Sequence, residues 1–402
     1  MPPVLSRELV EQILGDEGLD ERTLARCCRI SRDYLDFVRL RLYSHIRIQY
    51  TFAGRPFASD MVIRYDPTTL RLLLNLSEHI HLGVLVKSAR FDHDGDDGCA
   101  VFTTRRQIVG TVLEACPKLE SLGCPPCGAP DLCAMLEEMR TNLDSERGFK
   151  LLDLGAPNDE MWDVLSLYKF DLRHLLFADS EKFWCSMRGS KPSASDSLEY
   201  LELQSLVFLP PSQDDWLDAA TFRSLTEYSL DTLTLLRLRF DPRVISDFSI
   251  FPNLITLELD IDKRSPITKL AASVRTATTV TTLSFISSFF FDSQKFCRSS
   301  PDSVACSLPP AIVRLVLPAD LRPDHLVAFV QQLPFHSSLR QISYIPYRPN
   351  RFKLPTASSD LEDEVTPEPD YSTVFEACQA RSIRLEEEDR FWAADLEDYM
   401  RL

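Results

Sequence analysis

Along most of the chain the apolar residues fall into one recurring phrase: an apolar residue, two spacers, an apolar residue, one spacer, an apolar residue. From residue 85 onward it reads Val86/Ala89/Phe91, Leu119/Leu122/Cys124, Phe149/Leu152/Leu154, Leu172/Leu175/Phe177, Leu198/Leu201/Leu203 and Leu233/Leu236/Leu238. It continues as Leu254/Leu257/Leu259, Val280/Leu283/Phe285, Ile312/Leu315/Leu317, Leu339/Ile342/Tyr344 and Ala380/Ile383/Leu385. The middle residues stand 33, 30, 23, 26, 35, 21, 26, 32, 27 and 41 positions apart. The closing alternation of each phrase predicts a short strand with one buried face. The stretches between phrases predict helices over Gln107–Cys116, Leu132–Leu143, Met161–Phe170, Trp216–Tyr228, Ile267–Thr276 and His325–Leu333. One strand and one helix cannot bury an apolar face by themselves, so such units must stack on one another. The same alternation also admits a doubly wound α/β domain.

The first 50 residues follow a different period. Ser6 is a good N-cap, and Leu9, Ile13 and Leu14 then give a short helix one apolar side. Gly15 ends it and Asp20 caps the next, whose stripe is Leu24, Cys27 and Cys28. Ser31 caps a third helix carrying Leu35, Val38 and Leu42, after which Ile46, Ile48 and Tyr50 alternate as a chain entering a strand. Three helices of this size bury too little apolar area to stand comfortably alone, so the module leans on a neighbour or a partner. Residues 51–84 join it to the repeats, and Leu70, Leu73, Leu74, Leu76 and Ile80 predict a helix capping the first unit. Near the other end, residues 349–370 are rich in proline, serine and acids without an apolar period, with the acidic part near 357–370. Phe391, Trp392 and Leu396 give the segment 390–402 one apolar side, as a capping helix would have.

Two family resemblances follow from these residues. The phrase and its spacing resemble leucine-rich repeats, in which short parallel strands line a concave face and helices lie outside. The asparagine that often follows the strand in that family is absent here, which implies an irregular arc with long loops. The opening residues resemble an F-box of the fungal type: Leu5, Glu8, Leu9, Ile13, Leu14, Leu24, Cys28, Ile30, Ser31, Arg32, Arg39, Leu42 and Tyr43 stand in the family's order. Ser6 and Leu40 stand where the family usually has proline, and Tyr34 is a candidate for its usual aromatic. An unrelated helical cap on the next domain remains the plainer alternative.

The expected fold is therefore α/β: a small three-helix F-box-like module at 1–50, a linker and capping helix at 51–84, and an irregular leucine-rich-repeat solenoid at 85–402. What the F-box resemblance implies is docking on a Skp-type adaptor, and through it on a cullin-RING ubiquitin ligase that marks proteins for degradation. Leu5, Leu9, Ile13, Leu14, Leu24 and Ile30 are the candidate docking residues. Each aliphatic side chain fully buried there is worth roughly 1.5–3 kcal/mol. The repeat geometry puts a protein substrate on the strand face, with Asp153, Glu202, Arg237, Glu258 and Arg314 as candidate contacts.

Composition narrows the partners. The net charge is −16, and residues 1–50 contribute nothing to it, with eight arginines against eight acids. Residues 360–402 hold fourteen acidic and four basic side chains. That balance disfavours nucleic acid, which needs a basic stripe. No run is long and apolar enough to predict a membrane span, and Arg7, Glu8 and Glu11 interrupt the apolar core that a signal peptide needs. The expected setting is the cytoplasm or nucleus, where eleven cysteines, an odd number, read as reduced thiols.

Catalytic chemistry is poorly served. Cys124 and Cys127, with Cys133 nearby, have the spacing of half a zinc site or a redox pair, but the repeat accounts for both positions. The loop from Asp92 to Gly98 has alternating carboxylates, yet Asp97 and Thr103 stand where a calcium loop needs glycine and glutamate. The chain has no G-x-S-x-G, no phosphate-cradling glycine loop and no H-E-x-x-H. The expectation is a binding protein with no metal, cofactor or catalytic group. A repeat scaffold outside any ligase and an enzyme using the cysteines are the competing classes.

Overall fold

The computed structural model describes residues 35–53, 62–65, 67–93, 102–103, 105–123, 148–154, 161–178, 198–209, 218–261, 265–287, 303–318, 321–334, 338–344 and 370–387, with isolated positions between them. These fall into two compact units, one ending at Leu198 and one running from Glu199 to Glu397. The adaptor-docking candidates Leu5, Leu9, Ile13, Leu14, Leu24 and Ile30 lie outside the described residues, as do Cys124, Cys127, Cys133 and the segment 390–402.

In the first unit a helix over Leu35–Ser44 runs directly into strand β1 (His45–Ala53). Val38 is fully buried on that helix, and Ile46, Ile48 and Tyr50 are buried on the strand. β1 pairs in parallel with β3 (Ser88–His93), placing Ile46 beside Ala89 and Ile48 beside Phe91. The stacked strands thus begin at His45, and β1 runs through the boundary expected at residue 50. The C-terminal half of β1 also pairs antiparallel with β2 (Val62–Tyr65), and β2 pairs with β4 (Phe102–Thr103). Next come the helix Pro67–Glu78, which carries Leu70, Leu73 and Leu76 as expected, and the helix Arg105–Ala115. Parallel pairing then proceeds from β3 to β5 (Ser121–Gly123), β6 (Leu151–Asp153) and β7 (His174–Ala178). The helix Met161–Tyr168 lies between the last two.

The second unit holds β8 (Ser205–Leu209), β9 (Leu235–Arg239), β10 (Thr256–Ile261), β11 (Thr282–Ser287), β12 (Arg314–Val316), β13 (Gln341–Tyr344) and β14 (Arg384–Glu387). All seven are parallel and lie side by side in chain order. A doubly wound sheet reverses its strand order at a switch point. Neither unit's parallel strands do so, and the stacking is solenoid-like. Helices over Ala219–Thr226, Ile267–Thr276, Pro323–Gln332 and Ser372–Gln379 lie in the connections.

The phrase explains the core. Leu236, Leu257, Leu283, Leu315 and Ile342 form one lateral row, each fully buried. Aromatic rings tie that row's neighbours to the helices: Phe285 meets Phe296 edge-on at 5.2 Å, and Phe296 stacks on Phe329 at 5.5 Å. Between neighbouring strands the backbone repeats one motif. The carbonyl two residues before a middle anchor accepts two successive N–H groups, as Thr234 does from Ile255 and Thr256, and Thr281 from Val313 and Arg314, whereas among the described residues Arg340 O accepts only Arg384 N.

Hydroxyls on the residue four before the anchor take over the bridging that an asparagine ladder would supply. Thr232 donates to Leu203 O at 2.8 Å, Thr279 to Leu254 O at 3.0 Å and Ser338 to Ile312 O at 2.7 Å.

Two phrases differ from the expected register. The fifth strand phrase is Leu203/Leu206/Phe208, five residues beyond the expected one, because Leu206 pairs with Leu236 and Phe208 with Leu238. The earlier match fails for a local reason. Ser229 Oγ donates to Leu201 O and accepts from Leu203 N, both at 2.8 Å, so those backbone groups bond to a side chain rather than to a strand. In the last unit Leu385, not Ile383, pairs with Ile342. Its strand starts only after Ser382, which holds a left-handed φ of 57° behind the helix Ser372–Gln379.

Candidate functional site

Residues between the anchors point to the opposite side of each strand, away from the buried leucine row. In the second unit this outward row runs Val207, Arg237, Glu258, Ser284, Val316, Ser343 and Glu386. Arg237 and Glu258 are therefore direct lateral neighbours. Arg237 Nε lies 3.3 Å from Glu258 Oε2, an ion pair without hydrogen-bond geometry. One step further along the same strands, Arg239 Nε donates to Asp260 Oδ2 at 2.9 Å. Two arginines on β9 thus face two acids on β10, and the four charges cancel.

Burial separates these groups from ordinary surface charges. Arg237 is 8% exposed and Asp260 3%. Surface ion pairs contribute little, whereas enclosed ones depend on every donor and acceptor being met.

The other candidates scatter. Arg314 opens β12 and sits, half-buried, in the neighbouring outward row beside Thr282 and Gln341. Glu202 is exposed and precedes β8, because that strand begins at Ser205 rather than near Leu201. Asp153 ends β6 in the first unit and is fully enclosed, so it is not open to a docked substrate. Arg237 and Glu258 are the two that the fold brings together. The pair Arg239 and Asp260 went unnoticed in the sequence, although a signal was present: Leu-Arg-Leu-Arg at 236–239 is followed one unit later by Leu-Glu-Leu-Asp at 257–260.

In the first unit the residues just ahead of the strands carry a second charge ladder. Glu120 takes Lys87 on one oxygen at 2.6 Å and Lys150 on the other at 2.7 Å. The hydrogen bonds from Lys150 and Lys87 hold its carboxyl below the usual range. His174 opens β7, and burial followed by the nearby Arg173 charge pushes its imidazole pKa down.

Two of the described thiols, Cys297 and Cys378, lack the character of nucleophiles, while Cys306 is exposed. Cys116, Cys297 and Cys378 are buried, and burial pushes Cys297 up to about 12 and Cys378 up to about 11. Both are protonated at neutral pH, whereas a reactive cysteine must form thiolate. Among the described residues, no group of three His, Cys, Asp or Glu side chains could hold a metal ion. No helix among them is long and apolar enough to cross a membrane. No protein-family profile matches the chain, and no curated protein does.

Proposed function

We propose that the chain is the substrate-recognition subunit of a Skp–cullin–F-box ubiquitin ligase, with leucine-rich repeats holding the substrate. The observation that carries this reading is the ordered F-box-like series from Leu5 to Tyr43, which leads without a linker into the first stacked strand at His45. In this reading Leu5, Leu9, Ile13, Leu14, Leu24 and Ile30 supply the apolar contacts to a Skp-type adaptor. The outward row of the second unit, with Arg237 and Glu258 at its centre, holds a protein substrate. The subunit performs no covalent step. It raises the effective concentration of substrate near the ubiquitin-charged enzyme, as any tether between two sites does.

The junction at Ser44 and His45 supports such a role. The helix Leu35–Ser44 ends where β1 begins, and Ser44 O accepts Lys87 N at 2.8 Å, just ahead of the neighbouring strand β3. As such a subunit the protein works in the cytoplasm or nucleus.

The test is capture by a purified Skp-type adaptor, comparing the wild type with Leu9→Asp plus Ile13→Asp, while circular dichroism follows the fold. Capture by the wild type that vanishes in the folded double variant is expected. No capture of the wild type removes the ligase and leaves a repeat scaffold with a helical cap.

A further inference from the structure

Two exposed tyrosines of the second unit sit on turns that the fold lays side by side. Tyr200 is 61% exposed and Tyr228 45%. Tyr200 directly precedes Leu201, and Tyr228 directly precedes Ser229. Ser229 Oγ donates to Leu201 O at 2.8 Å, and Thr232 Oγ1 donates to Leu203 O at 2.8 Å. The turn that follows the helix Ala219–Thr226 is therefore pinned to the segment ahead of β8. Tyr200 also holds a left-handed φ of 75°. A bulky residue adopts that conformation only at a cost, and glycine would hold it without the Cβ penalty. The backbone of this turn favours glycine, and the chain carries a tyrosine there instead.

The setting of the two rings is negative. Glu199, Glu227 and Asp231 are exposed on the same two segments. Residues 199–231 hold seven acids and one base, Arg223. The charge stops on the side of the later strands. Asn253, exposed ahead of β10, donates to Asp231 O at 2.7 Å, and the turn ahead of β11 presents Thr278 and Thr279.

This combination selects one kind of occupant. A cation is drawn both by the carboxylates and by the negative face of a tyrosine ring. An anion is repelled. A purely apolar segment would strip water from three carboxylates and give them no partner. Guanidinium fits best, since its flat face stacks on a ring while its edge donates to carboxylates.

We infer that Tyr200 and Tyr228, with Glu199, Glu227 and Asp231 around them, form a docking surface for a basic, arginine-rich segment of a partner protein. The surface lies on the turns ahead of β8 and β9, apart from the outward strand row. The inference does not rest on the ligase reading, and lost adaptor capture leaves it standing.

The experiment uses the full chain and a fluorescein-labelled peptide of alternating arginine and serine, with binding followed by anisotropy. A glutamine–serine peptide is the uncharged probe. The arginine peptide should bind and the glutamine peptide should not. Tyr200→Gly plus Tyr228→Ser leaves the net charge unchanged. Each exposed cation–ring contact is worth about two- to fivefold, so this variant should bind about five- to thirtyfold more weakly. Glycine suits the backbone at position 200, so a melt of Tyr200→Gly should show no fall. Should the double variant not fold, Tyr200→Gly alone carries the readout at about two- to fivefold. Glu199→Gln plus Glu227→Gln should also weaken binding, more at about 0.05 M salt than at about 0.5 M. Glu376→Gln plus Glu387→Gln, an equal change of charge at exposed acids elsewhere in the unit, should bind as the wild type does.

No binding of the arginine peptide overturns the inference. So does binding that is indifferent to the two tyrosines and falls equally in both glutamine pairs. That pattern is the diffuse attraction of any cation to a chain of net charge −16.

Discussion

Ser229 offers the sharpest test of how the repeats are held together. It is fully buried, and its hydroxyl both donates to Leu201 O and accepts from Leu203 N at 2.8 Å. Ser229→Ala changes little in volume but strips both contacts, leaving a carbonyl and an N–H at two buried residues. Each buried polar group left without a partner costs about 1–3 kcal/mol, so the expected loss for the two is about 2–6 kcal/mol. The lower end applies if a water settles into the vacated space, which is near the minimum a water needs. Ser77 is the control: its hydroxyl donates to Leu74 O at the same 2.8 Å but is exposed. Water replaces that contact, and Ser77→Ala should stay within about 0.5 kcal/mol of wild type. Urea unfolding measures both changes, and hydrogen exchange followed by mass spectrometry reports on the peptide containing Leu203. The expected pattern is a lower midpoint for Ser229→Ala with fast exchange at Leu203, and neither for Ser77→Ala. Equal small effects in the two variants, with Leu203 still protected, would refute the argument that burial sets the worth of this bond.

Three further outcomes follow from the same structure. Gly83→Ala should destabilise by about 1–3 kcal/mol or more, because the added Cβ would sit 1.8 Å from Ala115 O, a backbone atom that cannot swing aside; a thermal melt reads this. Ser382→Gly should raise stability by up to about 1 kcal/mol, since glycine holds the left-handed φ of 57° without a Cβ penalty; an unchanged or lower denaturation midpoint would contradict it. His174 titrates lower in the folded chain than in the unfolded one, so the unfolded state binds the proton first. Its contribution is fully present above about pH 6.5 and is lost as pH falls through the folded value. Melts from pH 8 to pH 5 should show that fall, and His174→Gln should reduce it.

Much of the fold was legible because burial imposes a period. Nine of the eleven expected phrases stand in the observed strand register, and the helix expected at Ile267–Thr276 has those bounds. The site was legible in part. Arg237 and Glu258 both flank buried leucines in the sequence, and they meet. Asp153 flanks them in the same way but is enclosed, because the alternation says which face a residue is on and not what covers that face.

The sequence by itself determined which residues turn inward, since alternation along a strand is a local property and a leucine every second residue satisfies it only one way. It also determined the charges available on the outward face. Tertiary structure alone decided where each strand begins. Leu198/Leu201/Leu203 and Leu203/Leu206/Phe208 match the phrase equally, and the choice fell to a serine hydroxyl at position 229 together with the pairing of Leu206 with Leu236. It alone decided that Arg237 stands beside Glu258 with its charge matched. Lateral register joins residues some twenty positions apart in the chain, and no local pattern carries that information.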